Sequence, residues 1–404
     1  MMLLAIFVVL LFGHSLVSAL VEKTWLTPPI IFTLAGMAAA VAIAELPSAQ
    51  GNTGVLLGIA ELGLVLLLFT DASHMRLSKG SLPARLLSVG MLLTIGLGIV
   101  AAMVVFGDLS VWEAGILAAI LAPTDAGLGQ VIVSSPRVPR RIREGLNVEA
   151  GLNDGLAVPF LLFFIALASS PAGERKASLL QFFIEQFGYG VAVGLAVGLI
   201  GGRLFAMARR REWISPAYRK LGFVALPVLC LLASEAVGAS MFIAAFVAGL
   251  AVQRGGGEHV AEDSLEFAED WGQVINLSVF FLFGDLVTGR WGELRPAHFV
   301  YAVLSLTVIR MVPVAVALIG SRMNRATVLF MGWFGPRGLA SIVLGLVYLE
   351  HSAEHDEPTI RLAVIATVLV SILAHGLSAK PGAAWYGARV ARLGAGAAEN
   401  ATGS

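Results

Sequence analysis

Residues 116–133 read ILAAILAPTDAGLGQVIV, an apolar stretch that is long enough to enter a bilayer and that carries Pro123 and Asp125 at its centre. The next such stretch, residues 145–168, carries Asp154 among mostly apolar side chains. A carboxylate surrounded by hydrocarbon is costly unless it is paired, protonated or bound to a cation, so an acid in such a segment usually belongs to a functional site. The two acids therefore predict a pathway for a cation and a proton.

The composition of the chain is typical of a membrane protein. Hydrophobic residues make up 57% of the 404 positions, charged residues make up 13%, and the mean hydropathy is +0.85. An ordinary soluble domain carries roughly 25% charged residues. The zero net charge argues against nucleic acid as a partner, and the single cysteine, Cys230, cannot form an intrachain disulfide. We therefore predict an all-α polytopic protein that is embedded in the lipid bilayer.

The sequence also argues against an enzyme. It contains no Walker loop, dinucleotide fingerprint or metal-ligand helix, so we expect no cofactor and no ATP-driven transport.

Hydropathy predicts thirteen membrane-spanning segments, since a spanning helix needs about 20 apolar residues and fewer where it is broken or tilted. The segments are 2–20, 28–44, 53–70, 84–106, 111–133, 145–168, 182–208, 221–234, 239–253, 274–287, 299–320, 327–349 and 362–379.

The loop charges give these segments an orientation. Most of the 27 Lys and Arg residues fall in loops that the count assigns to one side. Only five fall in the loops of the other side: Arg175, Lys176, Arg290, Arg295 and Arg361. Positive residues collect in cytoplasmic loops. We therefore predict a multi-pass protein of the cell membrane, with its amino terminus outside, a transmembrane domain over residues 1–380 and a cytoplasmic tail over residues 381–404.

Segments five and twelve are interrupted near their centres. Segment five contains Pro123, and segment twelve contains residues 332–338, GWFGPRG; proline removes a backbone donor and breaks a helix. Disturbed backbone at membrane depth is tolerated only where it is buried in protein or lines a wet cavity. If segments one to six and eight to thirteen form an inverted repeat, the two interruptions occupy equivalent positions. Such pairs indicate a transporter site near the midplane.

Three motifs occur in order: APTD at 122–125, EAGLNDG at 149–155 and GPRG at 335–338. Together they resemble the monovalent cation:proton antiporters of the NhaP and NHE type, and the resemblance runs over nearly the whole chain. It implies an inverted-repeat transporter fold in which segments five and twelve are two crossed discontinuous helices. It also implies a core bundle that includes segments 4–6 and 11–13, and a dimerisation bundle that forms a homodimer. The implied activity is exchange of Na+, or of Li+ or K+, for H+ in pH and cation homeostasis.

Carried over to these motifs, the resemblance makes Asp154 the carboxylate that binds the monovalent cation or the proton, with Asn153 as its partner. The other assignments are Thr124, Asp125 and Asp71 as contributors to the site, and Glu149 with Arg337 as a buried structural ion pair. Burial disfavours a charged carboxylate and a bound cation favours it, so proton and cation exclude one another. With asparagine at position 153, we expect electroneutral exchange of one H+ for one cation. Ala150 stands where many relatives have a hydroxyl, which leaves the preferred cation open.

Several features have a second interpretation. Asp125 could cap the second half of the broken helix, where a carboxylate meets the positive end of the helix dipole. The glycines at four-residue spacing over 190–202 could form a dimer contact or ordinary intramolecular packing.

The function also has alternatives. A K+/H+ antiporter of the same fold is the nearest of them. A passive cation channel would usually present rings of polar groups from several subunits. A membrane-embedded enzyme would need Asp125 and Asp154 to share one water.

Overall fold

All regular secondary structure is helical in the residues that the computed structural model describes, which are 2–43, 53–74, 82–169, 183–256, 262–351, 357–393 and 398–400. Arg175, Lys176 and the tail residues 394–397 and 401–404 lie outside these ranges. The helices are α1 (Met2–Val21), α2 (Pro28–Ile43), α3 (Thr53–His74), α4 (Leu82–Val105), α5 (Val111–Ile120), α6 (Ala126–Val133), α7 (Arg140–Ser169), α8 (Tyr189–Arg210), α9 (Pro216–Ala236), α10 (Met241–Gly256), α11 (Glu262–Arg290), α12 (Pro296–Ala317), α13 (Arg325–Trp333), α14 (Leu339–His351) and α15 (Pro358–Val390).

Seven helical runs among the described residues are long and apolar enough to cross a membrane by themselves. They contain α1, α4, α7, α8, most of α11, α12 and α15. The other predicted segments overlap the remaining helices, which are α2, α3, α5, α6, α9, α10, α13 and α14. Segments five and twelve each consist of two short helices, α5 with α6 and α13 with α14, so the predicted interruptions are present in the fold.

Local sequence explains where α5 and α6 begin and end. Ser110 and Glu113 form a capping box at the start of α5, in which each side chain accepts a hydrogen bond from the backbone of the other. Pro123 cannot donate to a helical ladder, and α5 ends at Ile120. Asp125 has extended backbone (φ −93°, ψ 116°) and is the N-cap residue of α6. The break, residues 121–125, therefore contains a proline and ends at a capping acid.

The glycines of α8 pack inside the molecule. A side-chain carbon on Gly194 would lie 2.5 Å from the carbonyl oxygen of Ala244, and one on Gly198 would lie 2.6 Å from that of Ala248. Helices α8 and α10 thus approach backbone to backbone, which only small residues permit. Intramolecular packing accounts for this glycine stripe.

Loops that the charge pattern assigned to one side meet at one end of the molecule. The ammonium group of Lys380 donates to the carbonyl of Glu22, and Arg141 donates to the carbonyl of Ala398 at 2.5 Å. At the other end, the loop after α4 contacts the start of α12, where the rings of Phe106 and His298 are 5.6 Å apart. Each of these contacts joins loops that the predicted segments assign to the same side.

Helix α15 continues beyond the predicted start of the tail. Its last residue is Val390, and Pro381 lies inside the helix. Residues Ala398–Asn400 form a 3₁₀ turn that returns to the protein. Part of the predicted tail is therefore ordered and packed.

Candidate functional site

The carboxylate of Asp125 caps two helices at once. Its Oδ1 accepts a hydrogen bond from the Leu128 N–H of α6 at 3.0 Å, and its Oδ2 accepts one from the Leu339 N–H of α14 at 2.5 Å. Its own N–H donates to the Pro336 carbonyl in the second break at 2.8 Å. The first residues of a helix leave N–H groups without helical partners, so one acid here satisfies donors from both broken helices. The capping interpretation of Asp125 matches these contacts.

Arg337 makes the reciprocal connection from the second break to the first. Its Nη1 donates to the carbonyls of Ala122 at 2.9 Å and of Pro123 at 2.8 Å. Its backbone N–H donates to Ser371 Oγ on α15 at 2.6 Å. The break after α5 leaves these carbonyls without helical partners, and the fully buried guanidinium supplies donors for them.

Glu149 does not pair with Arg337, so that prediction is wrong. Both carboxylate oxygens of Glu149 instead accept from Arg310 on α12, Oε1 from Nη1 at 2.5 Å and Oε2 from Nη2 at 2.9 Å. The physical reason is that Arg337 is used elsewhere, because its Nη1 donates to the Ala122 and Pro123 carbonyls of the first break. Both members of the observed pair are buried, and two parallel hydrogen bonds of this kind satisfy a buried carboxylate well.

Asn153 holds the first break against α7. Its Oδ1 accepts from the Thr124 N–H at 3.1 Å, and its Nδ2 donates to the Thr124 hydroxyl at 2.7 Å. The amide thus fixes both the backbone and the side chain of Thr124. Asn153 and Thr124 thus lie together with Asp125, in a geometry that positions the break.

Asp154 differs from the other polar groups of the site. It is 3% exposed, and its Oδ1 accepts no hydrogen bond from any residue that the structure describes. The charges of Asp125, Asp71 and Arg337 lie close enough to interact with it electrostatically. A buried acceptor without a donor requires an explanation, such as a bound proton, ion or water.

Asp71 approaches α7 where a glycine makes room. A side-chain carbon on Gly151 would lie 2.9 Å from the Asp71 carboxylate, so the acid lies directly against the α7 backbone. Gly151 precedes Asp154 by three residues and shares its helix face. Asp71 therefore lies beside the surface of α7 from which Asp154 projects.

A small cavity lies between α6, α7 and the second break. Its lining includes Thr124, Asp125, Ala150 and Phe334. Ala150 precedes Asp154 by four residues, which places it one helical turn away on the same face of α7. The cavity thus reaches the break and comes within one turn of Asp154.

Three polar contributors near the site were not assigned to it from the sequence. Arg310 lies inside the predicted segment 299–320, and the sequence alone does not identify Glu149 as its acid. His375 lies between the ends of the second break, because its Nε2 is 2.8 Å from the Trp333 carbonyl oxygen and its Nδ1 is 3.1 Å from Ser371 Oγ. Asn276 of α11 directs its amide towards Gly127 of α6. An amide inside an apolar run is the signal that would have identified Asn276.

The chain has relatives of known name. Residues 4–385 match the family model described as sodium/hydrogen exchanger, transmembrane. The chain is 28% identical over 345 residues to the K(+)/H(+) antiporter NhaP of Alkalimonas amylolytica, an alignment that covers 83% of this chain and 58% of that protein. It is 25% identical over 325 residues to the Na(+)/H(+) antiporter of Schizosaccharomyces pombe, covering 72% and 68%. The chain thus spans little more than half the length of the first of these proteins.

The fold also has a counterpart among solved structures. The sodium proton antiporter MjNhaP1 from Methanocaldococcus jannaschii superposes with a TM-score of 0.73 at 20% sequence identity, over 93% of this chain and 99% of that one. The two chains share a fold.

Proposed function

The chain belongs to the sodium/hydrogen exchanger family, and from that premise we propose that it is a secondary antiporter that exchanges a monovalent cation, Na+ in the first instance, for H+ across the cell membrane. The observation that carries this proposal is the contrast between the two buried acids. Asp125 accepts from two helix ends, whereas Asp154 Oδ1 accepts from no described residue. A buried carboxylate of the second kind suits a group that holds a proton and a cation in turn.

The proposed architecture has thirteen spans in an inverted repeat, with α5–α6 and α13–α14 as two crossed discontinuous helices. The reciprocal bonds made by Asp125 and Arg337 support this arrangement because they join the two breaks to one another. Segments 4–6 and 11–13 belong to the core bundle, and the remaining segments include the dimerisation bundle of a homodimer. The basic loops at one end face the cytoplasm, with the amino terminus outside and residues 381–404 inside.

In this mechanism Asp154 binds the cation or the proton and is exposed to each side of the membrane alternately. Asn153 and Thr124 position the first break beside it, and Asp125 holds the two breaks together. Asp71 of α3 contributes its charge from beside the α7 backbone. The Glu149–Arg310 pair stabilises α7 against α12 and leaves Asp154 as the carboxylate whose occupancy changes.

We propose a stoichiometry of one H+ for one cation, since a single acid changes its occupancy. Exchange of K+ for H+ is the second candidate. It is supported by the name of the Alkalimonas amylolytica relative, a K(+)/H(+) antiporter. The same site chemistry serves both cations, because a carboxylate and backbone oxygens bind either.

Proton release from acid-loaded, reconstituted vesicles tests the function. Addition of Na+, Li+ or K+ should release protons from vesicles with the native protein, and the order of the responses gives the preferred cation. Asp154→Asn should abolish the response. Glu144→Gln is the matched control, because Glu144 lies on the same helix with an exposed side chain paired to Arg140.

Three outcomes would contradict parts of the proposal. Full coupled exchange by Asp154→Asn would exclude Asp154 as the transport carboxylate. Cation conduction without proton movement would indicate a channel. If a membrane potential drives the exchange, each cycle moves net charge, and the stoichiometry of one H+ for one cation is refuted.

A further inference from the structure

The carboxylate of Glu399 is buried at the start of α13. It is 2% exposed, although it lies five residues from the end of the chain. Its Oε1 accepts from the Asn324 N–H at 2.7 Å and from the Thr327 hydroxyl at 2.8 Å. Asn324 is also the N-cap residue of α13, where its side chain accepts from the Ala326 N–H at 2.9 Å. An acid from the carboxyl-terminal turn thus completes the cap of a broken helix.

The turn is attached to two further helices. Arg141, in the first turn of α7, donates to the Ala398 carbonyl at 2.5 Å. The Thr327 hydroxyl that donates to Glu399 also lies 3.0 Å from the Tyr386 hydroxyl of α15. The ring of Tyr386 stacks on Phe330 of α13 with centroids 4.1 Å apart. The turn therefore joins the ends of α7, α13 and α15, and α7 is the helix that carries Asp154.

Helix α13 needs such support because it is short. It has nine residues, and isolated helices of that length are marginal in stability. Its far end leads directly into the second break, where His375 Nε2 lies 2.8 Å from the Trp333 carbonyl oxygen. A helix of this length is about 13 Å long. A tilt of α13 at its Glu399 end would therefore move its other end and the adjoining residues 334–338, which include Arg337.

We propose that Glu399 is a positioning residue for ion exchange: it fixes the start of α13 and thereby the second break, so that the carboxyl-terminal turn is part of the transport machinery. This inference rests on the proposed function. Glu399 lies at the end of α13 that is remote from the second break. It acts through α13 and the contacts of Arg337. A carboxylate at the positive end of the helix dipole suits this role.

The test compares Glu399→Ala with Glu399→Gln and with the control Glu144→Ala in the full chain. Glu399→Ala removes the acceptor, whereas Glu399→Gln keeps an acceptor oxygen for Asn324 and Thr327. The first measurement is hydrogen exchange of the α13 amides in detergent, which does not depend on transport. We expect exchange at residues 325–333 to become about tenfold faster in Glu399→Ala, as the loss of a charge-assisted hydrogen bond predicts, and to stay near native in the other two variants.

The second measurement is the apparent KM for the cation and the maximal rate in reconstituted vesicles. We expect Glu399→Ala to raise the KM by about tenfold, on the same scale of energy, and Glu399→Gln to restore most of the native value. Unchanged exchange in α13 would overturn the capping role. Faster hydrogen exchange of the α13 amides, together with a native KM and maximal rate of transport, would overturn the role in transport. If the native protein moves no ions, the proposed function fails, and the exchange measurement still decides whether Glu399 caps α13.

Discussion

Replacing each buried acid with asparagine should separate the two acids by their effect on stability. In Asp125→Asn the amide offers one acceptor oxygen where two backbone N–H groups now donate, Leu128 at 3.0 Å and Leu339 at 2.5 Å. One hydrogen bond to a charged group is lost, which is worth about 1.5–3 kcal/mol, and the orphaned buried N–H adds about 1–3 kcal/mol. We therefore expect a loss of about 2.5–6 kcal/mol in the free energy of unfolding. In Asp154→Asn no hydrogen bond to Oδ1 is lost, so we expect a change below about 1 kcal/mol.

The assay is denaturant unfolding of the purified variants in detergent micelles, followed by circular dichroism at one pH and without added alkali cation. The native protein and Glu144→Gln serve as references, since Glu144 is exposed and its ion pair contributes little. Equal destabilisation by Asp125→Asn and Asp154→Asn would refute the distinction between a structural and an exchanging acid. A native stability of Asp125→Asn would show that its carboxylate does not hold the two breaks together.

Two further predictions concern packing and pairing. Arg310→Met should destabilise the protein by about 3–5 kcal/mol because it leaves the Glu149 carboxylate buried without its partner, and Glu149→Gln in that background should recover most of the loss. A double-mutant cycle in which Glu149 couples as strongly to Arg337 as to Arg310 would contradict the observed pairing. Gly198→Leu should lower the thermal stability in detergent because its side chain would enter the space of the Ala248 carbonyl, whereas Gly13→Leu, at a position with no neighbour within 4 Å, should not. Equal melting temperatures for these two glycine variants would count against the close approach of α8 and α10.

The sequence predicted the helical class and the two interruptions because both depend on local properties. Apolar length indicates a membrane helix wherever it occurs in the chain, and Pro123 breaks a helix in any tertiary context. These features needed no knowledge of how the helices pack.

The partner of Glu149 could not be chosen from the residues. Arg310 and Arg337 are both intramembrane cations, and which one meets the acid depends on the rotation of α12 against α7. Glycine spacing over 190–202 likewise fits a dimer or an internal contact until the position of α10 is known. Glu399 lies in a Gly- and Ala-rich stretch that resembles a loose end, and its burial depends on the distant Asn324 and Thr327.

The exchange of side chains between the two breaks has a consequence for how this protein can vary. Asp125 from the first break caps the start of α14, and Arg337 from the second break donates to the Ala122 and Pro123 carbonyls of the first. Each break depends on side chains of the other. A graft of one break alone from a relative would therefore lack matching hydrogen-bond partners in the other. We expect that chimaeras tolerate replacement of residues 121–125 and 334–338 only when both are transferred together.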